Sequence, residues 1–130
     1  MAEHASARIL VVDDDAGSRM TLDVVLFCAG YDVATAANGE EALGWLMQRD
    51  FDLVLVDPRL PGMSGIELAR HAKTCQPAAK LLFVIGADDT ADAPPQPRDA
   101  AYLRKTSNPE EVAYLVDALL SSQTELRMAA

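Results

Sequence analysis

Residues 51–62 read Phe51-Asp52-Leu53-Val54-Leu55-Val56-Asp57-Pro58-Arg59-Leu60-Pro61-Gly62, and the predicted fold is arranged around this segment. Five of the six residues from Phe51 to Val56 are apolar, a pattern typical of a strand that is buried on both faces. Pro58 and the Pro61-Gly62 pair then end the strand. We therefore expect Asp57 at the carboxyl end of a central parallel strand, which is where open α/β sheets bind ligands. An Asp at this place can also be a simple turn residue, so the rest of the chain has to decide between the two interpretations.

The composition indicates one acidic domain. The chain has 130 residues, and 11 Lys plus Arg stand against 20 Asp plus Glu, giving a net charge of -9. This charge argues against direct binding to nucleic-acid phosphates. Cys28 and Cys75 lack metal-binding spacing and are expected to be free thiols in a reducing compartment. No apolar run approaches the length of a membrane span, and the start of the chain is too short and polar for a signal peptide. We expect a cytoplasmic protein that binds no membrane.

Apolar strand patterns alternate with helical patterns along the chain. Five strands are predicted at 8–12, 31–35, 51–56, 80–85 and 101–104, with helices at 16–29, from 38 to about 49, from 64 to about 75, and from 108 to 120. The expected helix N-caps are Asp15, Asn38, Ser64 and Asn108, and Gly30 is the expected residue after the first helix. In the first helix, the residues at helical spacing that predict the packed face are Met20, Val24, Phe27 and Cys28.

This alternation predicts a doubly wound α/β fold, a five-stranded parallel sheet with helices on both faces. Between the fourth and fifth strands, residues 90–99 contain three prolines, which excludes a regular helix interior there. The expected fourth helix is therefore shortened or replaced by a proline-rich loop. We expect a disordered lead over 1–7, one domain over 8–123 and a frayed tail over 124–130.

Charged residues follow the ends of three of the predicted strands. Asp13 and Asp14 follow the first strand, Asp57 follows the third and Lys105 follows the fifth. Two carboxylates a few ångströms apart repel by about 4 kcal/mol at an effective dielectric constant near 20, so a cation is expected among them. An all-oxygen cluster that leaves room for water and a phosphate suits Mg²⁺.

Five motifs spread over nearly the whole chain resemble the receiver domain of bacterial two-component response regulators. They are Ile9-Leu10-Val11-Val12-Asp13-Asp14-Asp15, Asn38-Gly39-Glu40-Glu41-Ala42-Leu43, Asp52-Leu53-Val54-Leu55-Val56-Asp57, Leu60-Pro61-Gly62-Met63-Ser64-Gly65 and Ala101-Tyr102-Leu103-Arg104-Lys105. The resemblance implies a flavodoxin-like fold with sheet order 2-1-3-4-5. It also implies a signalling phosphoprotein rather than an enzyme, one that receives a phosphoryl group from a histidine kinase or a phosphotransfer protein.

The resemblance assigns a role to each residue of the acidic site. Asp57 would accept the phosphoryl group. Asp13, Asp14 and Asp57 would hold Mg²⁺ directly or through water, and the backbone carbonyl of Arg59 would complete the metal site. The resemblance therefore implies that these residues form a phosphorelay signal transduction site.

Three further positions concern the response to phosphorylation. By the resemblance, Lys105 would pair with the phosphoryl oxygens and Tyr102 would be the aromatic switch residue. Gly86 stands where the family has Thr or Ser, whose hydroxyl bonds a phosphoryl oxygen. The loss of one such charge-assisted hydrogen bond weakens the response by about 1.5 to 3 kcal/mol but leaves the metal ligands unchanged. The proline-rich segment replaces a helix that the family uses for partners and dimers.

Two functions of different classes remain open from the sequence. The first is a phosphoaccepting receiver domain with an atypical switch. It would pass its signal to an output domain or a partner protein that the sequence does not identify. The alternative is a degenerate receiver that acts as a phosphorylation-independent protein-interaction module, which Gly86 favours. The residues disfavour a phosphohydrolase of the haloacid dehalogenase type, since that family places its nucleophile in a DxD motif on the first strand and here Asp13-Asp14-Asp15 is followed by Ala16-Gly17.

Overall fold

The computed structural model describes residues 7–85, 101–104 and 108–129, which form a parallel sheet with helices on both faces. The predicted disordered lead (described at Ala7 alone), the proline-rich segment, Gly86 and Lys105 lie outside these residues. The elements in chain order are β1 (Arg8–Val12), α1 (Ala16–Cys28), β2 (Asp32–Ala36), α2 (Gly39–Gln48), β3 (Leu53–Val56), α3 (Gly65–Cys75), β4 (Lys80–Ile85), β5 (Ala101–Arg104) and α4 (Pro109–Ala129).

The sheet has the order β2-β1-β3-β4-β5, and every neighbouring pair of strands is parallel. This confirms the predicted topology. Val12 at the end of β1 lies opposite Val56 at the end of β3. The residues that follow these two strands, Asp13 and Asp57, therefore emerge side by side at the carboxyl edge of the sheet.

The central strand β3 is buried on both faces, as its continuous apolar pattern predicts. Val54 and Val56 pack into a core cluster with α2 and α3. Leu53 and Leu55 point the other way, into a second cluster with α1 and α4. Because successive side chains of a strand alternate between faces, only an unbroken apolar run can serve two helical layers. Each such side chain contributes roughly 1.5 to 3 kcal/mol by leaving water.

The predicted helix boundaries rest on local hydrogen bonds that the structure contains. Each predicted N-cap side chain accepts a hydrogen bond from the backbone N–H three residues later, at 2.8 to 3.1 Å, which satisfies one of the open donors of the first turn. The four confirmed caps are Asp15, Asn38, Ser64 and Asn108. Gly30 follows α1 with a φ of 103°, a conformation that favours glycine.

The predicted packing face of α1 is wrong. Leu22 and Leu26 are the buried residues of this helix. The helix carries apolar side chains on more than one side, so two stripes have helical spacing, and only contact with the sheet and α4 selects one of them. The residues of the rejected stripe, all exposed to solvent, are Met20, Val24, Phe27 and Cys28.

The last helix is longer than its sequence pattern indicated. The structure continues α4 to Ala129, through residues that we expected to form a frayed tail from 124 onward. No glycine or proline follows Pro109 within the helix, and Ala, Leu, Glu and Arg are strong helix formers, so nothing local ends it.

Over the part of the chain that the structure describes, no helix has both the length and the hydropathy needed to cross a bilayer.

Candidate functional site

Two buried carboxylates mark the carboxyl edge of the sheet. Asp13 is 2% exposed and Asp57 is 9% exposed, which is unusual for ionisable side chains. Both residues continue the backbone ladder one step past their strands. The N–H of Asp13 donates to the Ala36 carbonyl at 3.1 Å, and the N–H of Asp57 donates to the Val12 carbonyl at 3.0 Å. Hydrogen bonds of the sheet therefore fix the backbone positions of both Asp residues.

Asp14 joins these two residues in one cluster. One carboxylate oxygen from each of Asp13, Asp14 and Asp57 lies within 4.8 Å of the others, and Asp14 is the exposed member. The structure thus brings together the three acids that the strand order predicted to be neighbours. An exposed carboxylate beside two buried ones forms an all-oxygen group that is open to solvent on one side. This donor set fits Mg²⁺, which keeps several water ligands and takes few from protein.

Backbone N–H groups orient the two buried carboxylates. The Oδ1 atom of Asp13 accepts a hydrogen bond from the Asp15 N–H at 2.9 Å, and Oδ1 of Asp57 accepts one from the Arg59 N–H, also at 2.9 Å. In both cases the donor lies two residues later, the geometry of an Asx turn. Each bond fixes the rotation of its carboxylate group. The acidic cluster is therefore held in place by its own backbone.

Arg19 contacts the backbone of the acidic cluster, and no sequence motif marks it as a site residue. Its Nη1 atom donates to the backbone carbonyl of Asp13 at 2.7 Å, just after the last residue of β1. Arg19 is not one of the residues whose spacing predicted the packed face of α1. Its one sequence signal is a position four residues after the N-cap Asp15, and many surface arginines share such spacing. The contact became visible only with the strand and helix packed together.

The start of α3 lies directly against the Asp57 peptide. The N–H of Gly65 donates to the Pro58 carbonyl at 3.1 Å. A Cβ atom at position 65 would overlap the Asp57 carbonyl oxygen and lie 2.5 Å from the Pro58 Cα, so glycine is required by this close approach. The sequence pattern identified Gly65 only as part of a helix start. Its role in seating the strand end was not predicted.

Tyr102 is the one predicted switch position that the structure describes. Its ring stacks on Phe83 of β4, with centroids 5.4 Å apart and planes 18° apart. The side chain packs against the core cluster of α2 and α3, and burial raises the pKa of its phenol. Its role as a switch stays a prediction. Gly86 and Lys105, which directly follow β4 and β5 in sequence, lie outside the described residues.

The fold and the acidic edge define a class of signalling domain. The family model described as the response regulator receiver domain matches residues 9–117, so the chain belongs to the response regulator receiver domain family of two-component systems. The resemblance read from the motifs is confirmed.

Curated relatives support this assignment over most of the chain. The response regulator receiver protein CpdR of Brucella abortus (strain 2308) is 36% identical over 115 residues, covering 87% of this chain and 96% of CpdR. Other curated relatives are longer. The chain spans about half the length of proteins such as the aerobic respiration control protein ArcA of Escherichia coli (strain K12), with 35% identity over 91% of this chain.

Solved receiver domains share the architecture. A CheY-like response regulator receiver domain from Methanospirillum hungatei JF-1 superposes with a TM-score of 0.81 at 31% identity, covering 92% of this chain and 98% of that one. The response regulator TrrA from Thermotoga maritima, solved in complex with Mg²⁺ and BeF, has a TM-score of 0.77 at 35% identity and covers 87% of this chain and 98% of that one.

Proposed function

We propose that this receiver domain accepts a phosphoryl group on Asp57 and that phosphorylation requires Mg²⁺. The observation that carries the proposal is the cluster of Asp13, Asp14 and Asp57 at the carboxyl edge, with the Asp57 carboxylate held by the Arg59 N–H. In the transfer, a nitrogen–phosphorus bond of a phosphohistidine breaks and an Asp57 oxygen–phosphorus bond forms. The domain is a signalling phosphoacceptor and not an enzyme acting on other substrates.

The residues of the acidic site would position the metal ion and the acceptor carboxylate for the phosphoryl transfer. Asp13, Asp14, Asp57 and the backbone carbonyl of Arg59 are the proposed ligands of Mg²⁺, which when bound supplies neutralisation of the charge on the phosphoryl oxygens. The backbone bonds to Asp13 and Asp57 fix both carboxylates before any ligand arrives, so little ordering remains to be done on binding. The complex of TrrA with Mg²⁺ and BeF supports a metal at this edge.

The response of the domain to phosphorylation is proposed to be weak. Lys105 follows the end of β5 and is the proposed partner of the phosphoryl oxygens, while Tyr102 is the proposed switch residue. Gly86 follows β4 at the place of a hydroxyl residue and offers no side-chain donor to the phosphoryl group. We therefore expect transfer to proceed and the resulting shift in conformation to be smaller by roughly tenfold in population.

The proposed partners follow from the class of protein. A histidine kinase or a phosphotransfer protein would donate the phosphoryl group in the cytoplasm, and an output domain or a partner protein would receive the signal. With a net charge of -9, this domain is not proposed to contact nucleic acid itself.

Phosphorylation by a small donor tests the proposal directly. The protein is incubated with acetyl phosphate with and without Mg²⁺, and intact-mass spectrometry counts the phosphoryl groups added. One group should appear with Mg²⁺ and none with EDTA. Asp57→Asn should abolish the modification, and Asp50→Asn, which changes an exposed acid before the opposite end of β3, should leave it unchanged. Modification of Asp57→Asn at the wild-type level would refute the assignment of the acceptor.

A degenerate receiver is the second candidate, favoured by Gly86 at the switch position. Such a module would keep the fold and act on partners without phosphorylation. Beryllofluoride separates the two functions, because it binds the acceptor carboxylate together with Mg²⁺. An absence of binding and of phosphorylation at millimolar reagent would favour the degenerate module.

A further inference from the structure

The N-terminus of α2 packs against the loop that follows Asp57. Gly39, the first residue of α2, is buried, and Met63 of this loop occupies the space beside it. A Cβ atom at position 39 would lie 2.9 Å from the Met63 Cβ, 3.0 Å from its Sδ and 3.1 Å from its Cγ. We call this contact the Gly39–Met63 seat.

The loop that the seat supports contains the Arg59 peptide. Its ends are fixed by backbone hydrogen bonds, from the Asp57 N–H to β1 and from the Gly65 N–H to the Pro58 carbonyl. Between these ends the chain runs through Arg59, which is exposed, and Leu60, which is buried. Met63 is the next side chain of the loop that packs against the core cluster. Between its fixed ends, the loop is therefore held by the buried Leu60 and, three residues later, by the Gly39–Met63 seat.

We propose that the Gly39–Met63 seat positions the Arg59 peptide for metal binding, which makes Gly39 and Met63 positioning residues of the acidic site. This inference rests on the proposed function, since it assigns a purpose to the place of the Arg59 carbonyl. The seat joins the first residue of α2, which supplies no proposed metal ligand, to the loop that supplies the Arg59 carbonyl. Glu40, the next residue of α2, lies near Gly62 of the same loop.

A methyl group at position 39 cannot be accommodated by a change of rotamer. The nearest atom is the Met63 Cβ, which is bonded directly to the backbone and moves only with it. The φ angle of Gly39 is not positive, so alanine fits the local backbone and the steric cost of the substitution comes from this contact. The loop must shift by some tenths of an ångström. Mg²⁺ tolerates departures from octahedral geometry poorly, and loss of supporting contacts typically lowers metal affinity by about 10- to 100-fold.

Two alanine substitutions in one helix test the seat. Gly39→Ala should weaken Mg²⁺ binding about tenfold in isothermal titration calorimetry. Gly44→Ala is the matched control, because a Cβ at position 44 would meet no atom of the described residues within 4 Å beyond its chain neighbours and the adjacent backbone of its own helix, and alanine favours a helix interior. It should leave the Mg²⁺ dissociation constant unchanged and raise the urea midpoint. Urea unfolding in EDTA for each protein separates metal affinity from stability.

Removal of the Met63 side chain should relieve the effect. In the Met63→Ala background two of the three close atoms are gone, and in the Met63→Gly background all three are gone. Gly39→Ala should therefore reduce Mg²⁺ affinity less in the Met63→Ala background than in wild type. In the Met63→Gly background the reduction should be less than about twofold, because positions 39 and 63 are then no longer coupled. Each comparison is made within one background, so the flexibility that glycine adds to the loop cancels.

Amide chemical shifts provide a readout that needs no metal. In EDTA, Gly39→Ala should move the Arg59 amide signal and Gly44→Ala should not. If Gly39→Ala lowers the urea midpoint while the Arg59 signal and the Mg²⁺ affinity stay at wild-type values, the seat is only structural and the inference is wrong. If the wild-type protein binds no Mg²⁺, the proposed function fails instead. A shifted Arg59 signal would then still report the mechanical link.

Discussion

The two edges of the sheet handle buried polar groups in opposite ways. At the carboxyl edge, three carboxylates of like charge lie within 4.8 Å of one another. At the amino edge, the structure buries the neutral amide of Gln76, which follows α3. Its Oε1 accepts from the Phe51 N–H at 2.7 Å, and its Nε2 donates to the carbonyls of Leu46 at 2.8 Å and Arg49 at 2.6 Å.

We infer from this difference that the amino edge stabilises the fold and that the carboxyl edge is suited to bind a cation. The Gln76 amide forms hydrogen bonds with backbone groups of α2 and of the connection between α2 and β3. A buried amide whose hydrogen bonds are all made stabilises a single conformation of this connection. The acidic edge gathers like charges that repel one another, and this repulsion favours the binding of a cation. Substitutions at the amino edge should therefore affect unfolding, and substitutions among the acids should affect ligand binding.

The largest expected effect is at Gln76. Gln76→Leu keeps the apolar bulk but leaves the Phe51 N–H and two backbone carbonyls without their partner. Because each buried unsatisfied group costs about 1 to 3 kcal/mol, the free energy of unfolding should fall by about 3 kcal/mol. Urea unfolding measures this loss, and Gln48→Leu, at an exposed position of α2, should stay within about 0.5 kcal/mol of wild type. Equal losses in the two variants would contradict the comparison.

Gly65→Ala shows where the acidic edge itself depends on backbone shape. The new Cβ would meet backbone atoms of Asp57 and Pro58, neither of which can rotate away. We expect a loss of about 2 kcal/mol in unfolding free energy, in the range for overpacked sites, together with slower phosphorylation because the strand end moves. Gly17→Ala is the control, since a Cβ there makes an ordinary 3.5 Å contact with the Asp15 carboxylate. It should be neutral or slightly stabilising. A neutral Gly65→Ala would show that α3 can move away from the site.

Asp14→Asn should separate stability from function at the acidic edge. Removal of one charge from the cluster relieves repulsion, so the free energy of unfolding in EDTA should rise by roughly 1 kcal/mol or less, because Asp14 is exposed and screened. Mg²⁺ affinity should fall about tenfold through loss of a ligand. The gain in stability should shrink at high salt. A decrease in stability at low salt would mean that Asp14 is already balanced by a cation in the metal-free protein.

The chain pattern was sufficient for the fold and for the acidic cluster because both follow from strand order. Once β1 and β3 are adjacent and parallel, Asp13 and Asp57 must emerge at one edge. Their positions depend on apolar runs and a strand register, which are properties of short segments. The caps at Asp15 and Ser64 were predictable for the same reason, since the residues that form them are three apart.

The parts that escaped prediction are contacts between segments distant in the chain. Gln76 reaches carbonyls 27 and 30 residues away, and no local pattern distinguishes it from a surface glutamine. The packed face of α1 had two equivalent stripes, and the surrounding structure chose the one with Leu22 and Leu26. Gly65 and Arg19 act on backbone atoms, whose directions a sequence does not display. Side-chain periodicity predicts burial well only where one stripe dominates.

The smallest effect at neutral pH is expected at Tyr31, the second polar contact of the amino edge. Its hydroxyl donates to Asp117 of α4 at 3.3 Å, a long bond, so Tyr31→Phe should cost about 0.5 kcal/mol at pH 8. Burial, and then the negative charge of Asp117, raises the pKa of Tyr31 to about 12 from an ordinary value of 10.0.

The sign of the pH effect at Tyr31 follows from this raised pKa. Below pH 10 the phenol is protonated in both the folded and the unfolded chain, and its contribution to stability is fully present. Between pH 10 and 12 the unfolded chain releases the proton while the folded chain retains it, so wild type loses stability as the pH rises. Tyr31→Phe lacks this loss, and its deficit relative to wild type should close or reverse by pH 12. Urea unfolding of both proteins at pH 8, 10 and 11 measures the gap. A gap that stays constant across this range would mean that Tyr31 ionises as easily in the folded protein as in the unfolded chain, and that the amino edge is less closed than its hydrogen bonds indicate.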